Sequence, residues 1–213
     1  KRLKKNKMAM FCSAILVALV FIAIFAPLIA PYDPTFQDYT AVLAEPSLAH
    51  PFGTDEYGRD ILSRIIYGSR VSISIGIVAQ IVASVVGVTL GSLAGYYGGA
   101  VDNVISRIME IFQAFPDLIF AMAIMTFMGK GVLNLFIALG LLTWVRTARM
   151  IRGSVMQLKE KEYIEASRAC GASTYWIIMK GLIPNCLSTI IVLVTLGIPN
   201  AIMYEASLSF LGI

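Results

Sequence analysis

The chain has 213 residues, of which 58% are hydrophobic and only 14% charged, with a mean hydropathy of +0.78. A soluble domain is about 45–50% apolar and about 25% charged, so this composition excludes an ordinary soluble globule and indicates an all-α polytopic membrane protein. The net charge of +4 is small, and its placement bears on membrane orientation rather than on nucleic-acid binding.

The first element in chain order is an apolar run from Met8 to Ala30, behind the basic tail Lys1, Arg2, Lys4, Lys5 and Lys7. About 20 such residues span a bilayer. The run is too long for the apolar core of a signal peptide, and Pro27 to Pro31 offers no small-x-small cleavage site. Residues 1–30 are therefore read as a cytoplasmic tail and a retained anchor.

Residues 31–70 are polar and are broken by Pro31, Pro34, Pro46 and Pro51. Six acidic residues stand against Arg59, Arg64 and Arg70, a balance of −3 that places the segment outside. Asp60 to Ile66 has the apolar spacing of a short interfacial helix, with Asp60 and Arg64 spaced for an i,i+4 pair. His50, the sole histidine, is read as a solvated loop residue, because no second ligand cluster accompanies it.

The rest of the chain, 71–213, carries the remaining spans. Val71 to Tyr96 is the second. Gly87, Gly91, Gly95 and Gly99 recur along one ridge of it, which predicts a tight helix–helix contact within the subunit or with a partner subunit. The third, within Val104 to Met128, carries Arg107, Glu110, Gln113 and Asp117 in its first half. Pro116 should kink it, and Arg107 should pair with Glu110. After the turn Gly129-Lys130-Gly131, Leu133 to Val145 begins the fourth span, extending into Arg146 and Arg149.

A polar loop follows over residues 146–183. Seven basic residues stand against three acidic ones, a balance of +4 that places the loop inside. The fifth span runs from Pro184 to Met203, so charge bias and span parity agree. The end of the chain at Leu211-Gly212-Ile213 suggests that a sixth span is missing. Cys12, Cys170 and Cys186 form no CxxC, so neither a metal nor a redox site is expected.

Within the loop, Glu160 to Ala169 favours a helix that Gly171 would end. Ser173 or Thr174 would cap a second helix through Trp176, making a slim corner with Tyr175 and Trp176 as apolar anchors. On these residues alone two readings stand: docking of a soluble protein, or a basic loop lying on anionic lipid.

The pattern Glu165-Ala166-Ser167, then Gly171, then Ile183-Pro184, resembles the EAA signature of bacterial ABC importer permeases. That family usually has an aliphatic residue where Gly181 stands and alanine where Ser167 stands. Phe52-Gly53-Thr54-Asp55-Glu56-Tyr57-Gly58-Arg59-Asp60-Ile61-Leu62-Ser63-Arg64 resembles the external segment of its dipeptide/oligopeptide/nickel branch. Glu205-Ala206-Ser207-Leu208-Ser209-Phe210-Leu211-Gly212 is similar to that branch near the end of its fifth span.

The resemblance implies the transmembrane domain of a type I importer in a bacterial or archaeal cytoplasmic membrane, with the N-terminus inside. Its expected partners are a second, unlike permease, two ATPase subunits and an external binding protein that delivers peptides or, alternatively, nickel. Glu165, Ala166, Ser167, Ala169, Gly171, Ala172, Ser173, Thr174 and Tyr175 would dock an ATPase. Candidates for the substrate pathway are Gln80, Ser84, Asn200 and Glu205, each of which could equally satisfy a neighbouring helix.

No cofactor is expected on this chain, with ATP and Mg on the partners. No GxxxxGK[ST] occurs, because Ile124 stands where the first glycine before Gly129-Lys130 would be. A membrane enzyme would need a nucleophile–base pair or a metal cluster at membrane depth. An autonomous channel or secondary transporter would show internal repeats. The sequence has neither.

Overall fold

The computed structural model describes residues 6–129 and 131–212. The basic tail at 1–5 and the Lys130 turn residue lie outside them. Among the described residues the regular structure is helical, and four stretches are long and apolar enough to cross a membrane: Lys7–Ile24, Ile61–Tyr97, Val132–Leu158 and Thr174–Phe210. A fifth is made by a bent pair of helices. The chain divides into two units, 1–74 and 75–213.

In the first unit, α1 (Lys7–Ile24) starts at Asn6, whose side chain accepts from the backbone N–H of Ala9 at 3.2 Å. It is apolar all round yet exposed on nearly every face, with only Ala23 buried, as suits a helix solvated by lipid. Pro27 opens the short α2 (Ala26–Ile29).

The stretch from 30 to 60 is a looped cap built on buried or half-buried acids. Asp55 Oδ1 accepts the backbone N–H groups of Tyr57 (2.9 Å) and Arg59 (3.0 Å), while its Oδ2 accepts from Arg59 Nε (2.8 Å) and Arg64 Nη1. Gly53 and Gly58 take φ of +75° and +73°, and a Cβ on either would strike the carbonyl of Ala44 or of Asp38. Burial works to raise the Asp55 carboxyl, but the two backbone N–H groups and the Arg59 guanidinium prevail and hold it at about 2.

Asp60, only 2% exposed, ends the loop. Its Oδ2 accepts from Ser63 N (2.8 Å) and Ser63 Oγ (2.7 Å), and its Oδ1 lies 2.9 Å from His50 Nδ1. His50 also stacks on Tyr32 with ring centroids 4.8 Å apart, so it is a packed residue rather than a freely solvated one. The expected Asp60–Arg64 pair does not form. Asp60 is turned back onto the first turn of the helix it precedes, which leaves Arg64 to Asp55. That helix, α3 (Ile61–Tyr97), runs unbroken for 37 residues, so the expected short interfacial helix is the start of the second span.

In the second unit, α4 (Gly99–Gln113) and α5 (Asp117–Met128) meet at 88° across Ala114–Pro116. Pro116 does more than kink the third span: its extended backbone (ψ 129°) ends one helix and starts another. Arg107 pairs with Glu110 at 2.7 Å on the exposed face of α4, as its spacing predicts.

The long α6 (Val132–Leu158) packs against α4, α5 and α9 (Leu187–Phe210). The glycine ridge of α3 seats on it. A Cβ on Gly87 would lie 2.6 Å from Thr147 Cβ, one on Gly91 would strike the Ala148 carbonyl, and one on Gly95 would lie 2.7 Å from the Arg152 carbonyl. The contact is therefore within the subunit. Gly99 is not part of it; it opens α4 at φ +51° with open space beside it. Close by in sequence, Asp102 receives both Nε (2.5 Å) and Nη2 (2.6 Å) of Arg152, a bidentate clamp between α4 and α6.

Candidate functional site

Two features of the second unit stand out chemically: an exposed corner between α6 and α9, and a polar cavity among α3, α4, α5, α6 and α9. The corner begins only after Leu158, because α6 carries Arg146, Arg149 and Arg152 as regular helix. The insertion is thus shorter than its charge pattern suggests.

Helix α7 (Glu162–Ala169) places Glu162 and Glu165 in its first turn and Arg168 in its last, each sign complementing the helix dipole. It ends in a paired turn: Gly171 N–H bonds the Arg168 carbonyl (2.9 Å) and Ala172 N–H bonds the Ser167 carbonyl (3.0 Å). This is the Schellman arrangement, and Gly171 at φ +79° holds its left-handed position. Ser173 then caps α8 (Thr174–Trp176) by accepting from Trp176 N–H at 3.3 Å.

The second helix of the corner is only three residues long before it widens into a π-helical turn, Ile177–Leu182, and a 3₁₀ turn, Ile183–Cys186. Proline at 184 cannot donate to the preceding turn. The widened backbone absorbs that loss, and Asn185 Nδ2 bonds the Gly181 carbonyl at 2.6 Å.

The corner is keyed to the body by one side chain. Ile164 is fully buried among Ile151 and Val155 of α6 and Ile177, Ile178 and Leu182 of the following turn. Arg168 adds a cation–π contact, 5.4 Å from the centre of the Tyr96 ring. Glu165, Ala166, Ala169, Gly171, Ser173 and Tyr175 face outward, while Ser167, Ala172 and Thr174 are half-buried. Tyr175 is 74% exposed and Trp176 48%. All nine residues expected at the docking corner thus lie on one short stretch with an apolar underside.

The cavity measures about 220 Å³. Gln80 of α3 and Asn200 of α9, both expected in a substrate pathway, line it together with Asp117, Arg146 and Tyr204. Gln80 is 2% exposed, and its amide lies so close to Gly197 that no Cβ fits there. Tyr204 donates to Asp117 Oδ2 at 2.7 Å. Ser84 reaches the cavity only through Gln80, whose Nε2 donates to its Oγ at 3.2 Å, and Glu205 does not line it.

Arg146 and Asp117 were legible as polar residues in apolar surroundings but not as neighbours. Their convergence depends on the 88° break, which the proline signals without giving its angle. Among the described residues no group of His, Cys, Asp and Glu is arranged to hold a metal ion.

The comparisons agree with this architecture. The family model of binding-protein-dependent transport system inner membrane components matches residues 87–213, and that of the N-terminal transmembrane domain of oligopeptide transport permease C matches residues 1–46. The dipeptide transport system permease protein DppC of Bacillus subtilis is 42% identical over 213 residues, covering 100% of this chain and 67% of the relative. The oligopeptide transport system permease protein OppC of the same organism is 40% identical over 212 residues, covering 100% and 70%. The glutathione transport system permease protein GsiD of Pectobacterium atrosepticum is 37% identical over 214 residues, covering 100% and 71%. With a helical body of apolar spans, a proline-broken third span and matches over both ends, the chain belongs to the family of binding-protein-dependent, inner-membrane ABC importer permeases.

Proposed function

We propose that this chain forms half of the translocation pore of an ATP-driven peptide importer and couples to ATPase subunits through residues 165–175. In this reading the corner after Leu158, residues 159–183, faces the cytoplasm, together with the N-terminus, and residues 31–70 face outward towards a substrate-binding protein. A second, unlike permease completes the pore. ATP and Mg bind the partner ATPases, not this chain.

The observation that carries the reading is the construction of the corner. An exposed rim of small and aromatic residues is fixed by a backbone-bonded turn and seated on the buried Ile164. Such an element is stiff enough to pass on a partner's motion. Ile164, Ile177 and Ile178 are turned inward and anchor the corner to the body, while Tyr175 and Trp176 are left exposed for a partner. Peptides are favoured as cargo by the relatives, which are permeases of dipeptide, oligopeptide and glutathione transport systems.

Gly171→Val tests the coupling. A β-branched residue at φ +79° is strained whatever the surrounding space, so the corner should open while the spans insert normally. Co-purification of the ATPases and ATP-driven uptake of dialanine should both fall at least tenfold. Retention of both in a correctly inserted variant would sink the docking assignment.

A further inference from the structure

Arg146 stands exposed on a helix long and apolar enough to cross a membrane, and among the described residues it makes no ion pair or hydrogen bond. A guanidinium carries five donors and stays charged. A charged side chain in a span without a protein partner marks a place where a partner arrives from elsewhere. The same cavity holds Asp117, which spends one carboxylate oxygen on Tyr204 and keeps the other. Cation and anion, both exposed, therefore share one open cleft of about 220 Å³ without bonding each other. Had this pair served only to neutralise itself, the two groups would have closed on one another, as Arg152 and Asp102 do with two bonds in the same unit.

We propose that this cavity binds the two charged ends of a short peptide during its passage, the carboxylate on Arg146 and the ammonium on Asp117, with Asn200 on the amide between them. The inference rests on the importer reading and adds which chemical groups of the cargo this chain recognises.

The volume sets the size. A cavity of about 150 Å³ takes the six carbons of benzene, so by the same ratio this one takes roughly nine non-hydrogen atoms. That is the smallest dipeptide, or one end of a longer peptide. The wall mixes Leu142, Leu193 and Leu196 with the polar Gln113, Thr143 and Thr147. Gln80, wedged against Gly197, lines the same cleft. Recognition by the charged pair falls on the groups common to all free peptides.

Thiol protection in the purified whole transporter, without binding protein, tests this. Thr143, on the cavity wall, is replaced by Cys and labelled with a maleimide, with Leu193→Cys as a second reporter if the first variant is unstable. Dialanine should slow labelling, whereas N-acetyl-dialanine amide should not. Arg146→Gln and Asp117→Asn should each raise the dialanine concentration needed by about tenfold or more, and Arg146→Lys should restore part of the protection.

Equal protection by free and blocked peptide, or none by either, overturns the site. Uptake of dialanine into proteoliposomes by the same complex with its binding protein and ATP reads the importer assignment separately. Uptake without protection rejects the site alone, and protection without uptake supports the site while rejecting the importer.

Discussion

Ile164 occupies the space that a side chain at position 181 would need: a Cβ on Gly181 would lie 3.0 Å from Ile164 Cδ1. The family pattern usually has an aliphatic residue there, and this chain lacks one because the isoleucine of α7 fills the hole from the other side. Gly181→Leu should therefore overpack the keel and cost about 1–3 kcal/mol. Adding Ile164→Ala should return part of that loss. A double-mutant cycle on the melting temperature of the purified permease reads the coupling; simple additivity would show that the two positions do not share a space.

The seam between α3 and α6 is tightly closed along Gly87, Gly91 and Gly95. At Gly91 an added Cβ meets main chain, the Ala148 carbonyl, which cannot rotate away as a side chain can. Gly91→Leu should abolish accumulation of folded permease. Gly153→Leu, at a glycine of α6 with open space around it, should leave accumulation within about twofold, since exposed helix positions cost little beyond propensity. Membrane-fraction yield and detergent-extracted size profiles compare the two.

The Asp55 carboxyl is held at about 2, below its ordinary 3.8, so the loop gains stability from its ionised form. A lowered carboxyl contributes fully above 3.8, and the contribution is lost as pH falls through about 2. Hydrogen exchange of the Tyr57 and Arg59 amides, both bonded to Asp55, should stay slow from neutral pH to about pH 4 and rise below it, beyond the intrinsic pH dependence. Asp55→Asn should make these amides exchange quickly across the whole range, because it loses the charge that gathers Arg59 and Arg64.

The Asp102–Arg152 clamp is partly exposed, at 14% and 30% of the two side chains, which moderates its strength. Double-mutant cycles with alanine at both positions should give a coupling of about 1–2 kcal/mol in thermal unfolding. A coupling below a few tenths would show that the pair is incidental to the α4–α6 contact.

Much of this architecture is legible in the residues because the membrane enforces it. Apolar runs of span length, the Gly87-Gly91-Gly95 ridge, the Arg107–Glu110 pair and the Gly171 turn are all local patterns, and each is realised. What local pattern does not specify is competition. Asp60 had several available partners, and Ser63 and His50 took it from Arg64. The end of α6 was masked by its own charges: arginines form helices well, so a basic run did not mark a loop. The cavity required five helices to converge, and no sequence spacing reports that.

Helix α6 crosses its unit without a break for 27 residues, about 40 Å at the rise of a regular helix. Arg146 and Thr143 on it line the cavity; Ile151 and Val155, one to three turns further on, grip Ile164. No proline and no widened turn lies between them. In the coupling we propose, a displacement imposed on the keel would arrive at the cavity wall as a tilt of one rod, whose two working ends stand about 13 Å apart from Arg146 to Val155.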